Sequence, residues 1–270
     1  MPAPPPVPPA EDLDDALDDA RPRDDLRHPV RLAGPPRRVV SLVPSITESL
    51  AATVPEALAG ATDWCTHPAD LDVPRVRGTK NPDLAAIVDL TPDLVIANQE
   101  ENRELDVRRL RERGIEVWVT VTETLDGALA SLGRLFDEAF GVAPPWLAEA
   151  ATEWASPGEP LGRASVAIWR DPWMVVGRDT FTGDLLARLG LANVHADAPD
   201  RYPAVEVADI EARHPDVVLL PDEPYVFTAD DGPEAFTVPT RLVSGRLLTW
   251  YGPSLVGARS ALVAAVAPVR

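Results

Sequence analysis

Glu100 and Glu101 stand side by side after an apolar run, Leu94-Val95-Ile96-Ala97, among the amides Asn98, Gln99 and Asn102. Adjacent carboxyls can serve as an acid–base pair or as oxygen ligands in an iron site. No partner base accompanies them in the sequence. The reading carried forward is a cleft rim that recognises amide or hydroxyl groups, with a solvated loop as the plainer alternative. His67, two residues beyond Cys65, offers an imidazole of the kind that binds cobalt or iron. Its plainer role is to hydrogen-bond within a proline-fixed loop. Cys65 reads as a small buried residue. Lys80 and Arg170 could neutralise an anionic ligand, Arg170 the better because its planar fork grips carboxylate or phosphate through two bonds. Surface solvation is the competing reading for both. Trp169 closes an alternating strand, while Trp173, Trp250 and Tyr251 lie beside prolines or glycine, which favours a binding surface over a core. Gly177 reads as a turn, and nothing in the chain spells a glycine-rich phosphate cradle.

These residues need elements to hold them. Val39–Val43 reads as a strand broken by Pro44-Ser45, with Ser45 or Thr47 capping a helix through Ala52. A strand at Leu58–Ala61 precedes a long loop. Asp83 caps a helix to Leu90, and strand Leu94–Ala97, amphipathic helix Glu104–Arg113 and strand Ile115–Val121 follow. The pattern over 124–155 is helical, in two pieces. Alternation resumes with strand Ser165–Trp169, helices Thr182–Leu189 and Val207–Arg213, strand Val217–Leu220 and a last helix to about Val266. DLAAIVDLTPDLVIANQE and DIEARHPDVVLLPDEP echo each other as capping Asp, short helix, Pro-Asp, apolar strand and acidic loop. The fold class is therefore α/β: two Rossmann-like lobes with parallel sheets joined by a helical linker. The expected divisions are a disordered acidic, Pro-rich arm over 1–36, an N-terminal lobe over 37–123, a linker over 124–160 and a C-terminal lobe over 161–270. Ligands sit beyond the carboxyl ends of parallel strands, so the polar loops after Ala97 and Leu220 are expected to face one cleft.

A net charge of -18 argues against nucleic acid, which needs a basic face. The single cysteine excludes an internal disulfide framework. No run approaches the roughly 18 to 20 apolar residues that span a bilayer. The start, MPAPPPVPPAEDLDDALDDARPRDDLRHPV, lacks a basic region followed by an apolar stretch and does not read as a secretory signal. A cytoplasmic location is expected on that ground; a misplaced start would put the protein in the periplasm or outside the cell.

Six stretches, SLVPSITE, DWCTHP, GTKNPDL, PDLVIANQEENR, WRDPWMVVG and TWYGPS, occur in this order. Together they resemble the class III periplasmic binding proteins, the helical-backbone family of cobalamin and ferric-siderophore receptors that deliver to ABC importers. The resemblance covers 37–268 and implies two lobes on a helical linker, a shallow cleft, little closure on binding and no enzymatic activity. Carried over by motif position, it implies ligand contacts from Pro44, Ser45, Trp64, His67, Thr79, Lys80, Asn81, Asn98, Glu100, Glu101 and Asn102 of the N-terminal lobe. The C-terminal lobe would add Trp169, Arg170, Trp173, Trp250 and Tyr251. Aromatic loops suit flat corrin and heme-like rings. Family members that dock on a permease carry a glutamate early in one helix of each lobe. The alignment puts Ala85 and Ala208 there, with Asp83, Glu206 and Asp209 close by. A linker helix over Trp146–Ala155 spans only about 15 Å, which is short for the family.

The expected function is non-catalytic binding, by a monomer, of a metal chelate: cobalamin or another corrinoid first, ferric siderophore or heme second. No intrinsic cofactor is expected; cobalamin or the iron chelate enters as ligand, with His67 as the candidate axial ligand to its metal. The alternatives are an ABC importer component with a misplaced start codon, and an intracellular enzyme that processes corrinoids or chelates on the same fold.

Overall fold

The structure, a computed structural model, describes residues 21–266. The N-terminal lobe carries β1 (Val39–Ser41), β2 (Leu58–Ala61), a small antiparallel hairpin of β3 (Arg77–Gly78) and β4 (Asn81–Pro82), then β5 (Leu94–Asn98) and β6 (Val117–Thr120). Of these, β2-β1-β5-β6 form one parallel sheet. The C-terminal lobe carries β7 (Gly162–Trp169), β8 (Met174–Val175), β9 (Leu191–Asn193), β10 (Val217–Pro221) and β11 (Thr240–Val243). There β11-β10-β7-β9 run parallel, and β8 folds back antiparallel on the end of β7.

Side chains alternate between two cores, as the two-residue period of a strand requires. Along β5, Leu94 and Ile96 enter a core shared by both lobes, while Val95 and Ala97 turn outward to Ile87 and Leu110. In β10, Val217 and Leu219 join the same shared core, and Val218 and Leu220 pack outward with Ile210 and Phe227. Both faces of each strand are therefore buried, which is why the apolar runs are unbroken.

The linker begins at Thr124, whose hydroxyl accepts the Gly127 N–H to start the helix Leu125–Arg134. A π-helical turn, Leu135–Phe140, continues it to Gly141, which has a left-handed conformation. The next helix, Pro145–Glu153, touches both lobes from its flanks. Trp146 Nε1 donates to Thr53 Oγ1 at 3.0 Å, and Trp154 Nε1 donates to the Leu255 carbonyl at 3.0 Å. The helix has nine residues and is as short as expected, about 14 Å; the lobes pack on a common core instead of standing apart on a strut.

Three expectations are corrected. Neither Ser45 nor Thr47 caps the first helix. Val43 is the N-cap, Pro44 takes a first-turn position where no N–H is needed, and Thr47 Oγ1 bonds back to the Val43 carbonyl at 3.0 Å. Strands β3, β4 and β8 lie in stretches expected to be loop and, at two residues each, are too short to show a periodic pattern; β9 and β11 carry no sequence expectation. Most substantially, residues 21–36 are not a free arm. Asp25 N–H donates to the Val119 carbonyl of the edge strand β6 at 3.0 Å. Asp24 is fully buried and accepts from His28 N–H (2.8 Å), Arg111 Nη2 (2.7 Å) and Val119 N–H (3.3 Å). The Asp25 carboxylate accepts from Val121 N–H, Ser131 and Arg134. Aspartates that read as solvating charge thus satisfy the open edge of a sheet. The rest of the arm, 1–20, lies outside the described residues. Among the described residues no helix is long and apolar enough to cross a membrane.

Candidate ligand-binding site

The polar run after β5 is a built loop. Asn98 ends the strand fully enclosed, its Nδ2 donating to Thr120 and Thr122 Oγ1, both at 3.1 Å. Its Oδ1 accepts the N–H groups of Glu100 (2.8 Å) and Glu101 (3.3 Å), the side-chain mimicry of a turn at which asparagine excels. Asn102 Oδ1 accepts the Asn98 N–H at 2.8 Å, and its Nδ2 donates to the carbonyls of Thr79 (2.9 Å) and Leu42 (3.3 Å). Lys80 Nζ donates to the Glu100 carbonyl. The two asparagines therefore tie the carboxyl end of β5 to the β3–β4 turn and to the end of β1, and they deliver Glu100 and Glu101 to the junction between lobes.

The C-terminal lobe meets this loop directly. Tyr251 OH donates to Glu101 Oε1 at 3.1 Å. Arg201 donates to Glu100 Oε2 at 3.2 Å and to Glu123 Oε1 at 2.6 Å. Arg246 Nε donates to Glu48 Oε1 at 3.1 Å, and Nη2 makes a second bond to the same oxygen. The Trp250 and His67 rings meet edge to face, centroids 5.3 Å apart. Gly252, at φ 152°, allows the approach: a Cβ there would sit 2.5 Å from Ser49 Oγ and 3.2 Å from the Ser45 carbonyl.

Enclosure changes the chemistry of the acids. Burial pushes the Glu101 carboxyl up to about 7; Glu100 and Glu223 add to the effect, while the Tyr251 hydrogen bond and Lys80 oppose it. Burial likewise pushes Glu223 up to about 7, reinforced by Asp222 and Glu48 and opposed by Trp250 and Arg246. The Tyr251 and Tyr202 phenols are raised above their ordinary range, again mainly by burial. Two acids from opposite lobes, each half-buried, thus carry a high free energy when ionised.

The other expected residues divide sharply. Trp64 is 63% exposed, its Nε1 beside the β3–β4 turn at Gly78. Trp169 is 43% exposed and edge-on to Tyr225 at 5.6 Å. Trp173 is half-buried and stacked on Phe227, centroids 5.7 Å apart. Trp250 and Tyr251 are buried, which corrects the expectation of open stacking surfaces: they close the junction. Arg170 is also corrected. It is paired through Nη1 with Asp231 and with Glu234 Oε1 at 2.5 Å and lies over Trp173, so two carboxylates already balance its charge. Pro44 and Thr79 are half-buried at their turns, Asn81 is exposed, and Ser45 is buried. His67 Nδ1 lies 3.1 Å from Thr66 Oγ1. Cys65 is buried between the hydroxyls of Thr47 and Thr62, and burial raises its thiol. Arg201, Tyr202 and Arg246 are not legible as site residues, since no motif marks them, and Glu48, although it closes the motif SLVPSITE, is not among the expected contacts. Glu223 lies in the acidic loop after Leu220 to which the internal echo points.

No family model matches the chain. The vitamin B12-binding protein of Salmonella typhi is 30% identical to it over 203 residues, 72% of this chain and 76% of that protein. The vitamin B12-binding protein of Pectobacterium carotovorum is 26% identical over 202 residues, 70% and 72% of the two chains. Among solved structures, the periplasmic vitamin B12 binding protein BtuF of Vibrio cholerae matches with a TM-score of 0.70 at 20% identity, over 86% of this chain and 97% of that one. A periplasmic heme binding protein from Pseudomonas aeruginosa matches equally well, TM-score 0.70 at 21% identity over 87% and 94%. These structures share the fold, and the Salmonella relative shares enough sequence to fix the lineage. The chain belongs to the family of the vitamin B12-binding proteins, class III periplasmic binding proteins with a helical backbone.

Proposed function

We propose that the protein is a non-catalytic receptor for a flat metal chelate, a corrinoid before a heme or ferric siderophore, held where the two lobes meet. The observation that carries this reading is the convergence of loops from both lobes, Tyr251 on Glu101 and Trp250 on His67, at the carboxyl ends of the sheets. Exposed Trp64 and Trp169 add aromatic area for a ring to cover. The relatives compared above are named for binding vitamin B12 or heme, not for a reaction. With Nδ1 beside Thr66, His67 would offer Nε2 as an axial ligand to the bound metal. The solved relatives are periplasmic, which favours that compartment over the cytoplasm. An ABC permease is the partner the family implies. Exposed Ala85 and Ala208 hold the positions expected to dock, and the nearby acids Asp83, Glu206 and Asp209 cap their helices.

The test is a tryptophan-fluorescence titration of the purified chain with cyanocobalamin, cobinamide, heme and a ferric hydroxamate. A saturable 1:1 response with Kd below about 1 μM, or about −8 kcal/mol, is expected for a corrinoid. Silence with all four would overturn the reading.

A further inference from the structure

We infer that the junction selects its ligand by charge: Glu101 and Glu223, one from each lobe, with Ser45 and Glu48 beside them, favour chelates edged with carboxamides or carrying net positive charge and reject chelates edged with carboxylates. This rests on the receptor reading above and adds a rule for which chelates are accepted.

The carrying observation is a set of unsatisfied oxygens in one place. Ser45 Oγ, Glu48 Oε2, Glu100 Oε1 and Glu223 Oε1 are buried and accept no hydrogen bond of ordinary geometry among the described residues, although Tyr251, Tyr202 and Trp250 stand beside Ser45, Glu100 and Glu223. All four belong to the loops and helix that meet between the lobes. Ionised carboxylates only accept hydrogen bonds, so what completes such a surface is a donor: an amide N–H, a hydroxyl or a cation. The basic side chains in these contacts are already committed. Arg246 is on Glu48, Arg201 bridges Glu100 and Glu123, and Lys80 holds the Glu100 carbonyl. Arg170, the residue best shaped to bind a carboxylate, already has its charge balanced by Asp231 and Glu234 through Nη1. An incoming carboxylate would therefore meet Glu101 and Glu223 in a partly water-excluded setting, where like charges repel strongly and discriminate against the wrong partner. A carboxamide of the same shape would donate to them instead.

The experiment holds the ring constant and changes only its edge. The full chain is titrated at about pH 8 with cobinamide, whose periphery carries carboxamides, and with the same corrin ring after those amides are hydrolysed to carboxylates. The carboxylate form is expected to bind at least about tenfold more weakly, a difference of about 1.4 kcal/mol. In the double variant Glu101→Gln, Glu223→Gln, the ratio of the two affinities is expected to fall to within about threefold. Equal binding of both forms to the unaltered chain, or an unchanged ratio in the double variant, would overturn the charge rule while leaving the receptor reading intact. If neither corrinoid binds, both fall together.

Discussion

Replacing Glu101 by Gln should make the ligand-free protein more stable, and only at high pH. The carboxyl is half-buried between lobes and is raised from 4.5 to about 7. A folded-state value above the unfolded one means that folding favours the neutral acid. That stability is complete below about pH 4.5 and is lost as pH rises through about 7. At 1.36 kcal/mol per pH unit, the shift corresponds to about 3 kcal/mol of destabilisation at pH 8. The groups that face Glu101 set how much survives: Glu100 and Glu223 raise the penalty, while the Tyr251 hydroxyl and Lys80 reduce it. Glutamine keeps the acceptor oxygen for Tyr251 and removes the charge. Urea unfolding of both proteins at several pH values is the assay. We expect the variant to exceed the wild type by about 2–3 kcal/mol at pH 8 and to match it within about 1 kcal/mol at pH 5. A wild type equally stable at both pH values, or a variant with no advantage at pH 8, would refute the reasoning. The gain would mark Glu101 as a residue kept for function at a cost in stability.

Three other outcomes follow from the packing. Asp24→Ala removes the acceptor of two backbone N–H groups and of Arg111 in a buried setting, and should cost about 3 kcal/mol in chemical denaturation; an effect below about 0.5 kcal/mol would restore the free-arm picture. Gly252→Ala places a Cβ 2.5 Å from Ser49 Oγ in a left-handed backbone, and should lower stability by about 1–3 kcal/mol, read as a fall in melting temperature. Trp64→Ala removes an exposed side chain, so stability should change by less than about 0.5 kcal/mol. Its corrinoid affinity should nevertheless fall about three- to tenfold, the worth of one aromatic stacking contact; unaltered affinity would remove Trp64 from the site.

The strand–helix alternation was legible because burial on two faces writes long apolar runs such as Leu94–Ala97 and Val217–Leu220. Caps written in local chemistry were legible too, as Asp83 accepts from Ala85 and Ala86 N–H. Distance along the chain hid the rest. Asp24 and Asp25 look like solvated acids until β6 and the residue after it, more than ninety residues away, supply the Val119 and Val121 N–H donors. Arg170 looks free until Asp231 and Glu234 fold back to it. The polar run after β5 promised a ligand rim, yet half of it is scaffold: Asn98 and Asn102 hold the loop, and Glu100 and Glu101 alone reach the other lobe. Loop chemistry of this kind shows that a segment is special, and only the fold shows which side chains face outward.

The central claim is that both lobes share one binding site. Hydrogen–deuterium exchange of the full chain with and without a saturating corrinoid tests it most directly. The account predicts new protection in loops of both lobes, around residues 62–68 and 98–102 on one side and around 222–225 and 246–252 on the other. Protection confined to a single lobe, or falling on the opposite ends of the sheets, would contradict it.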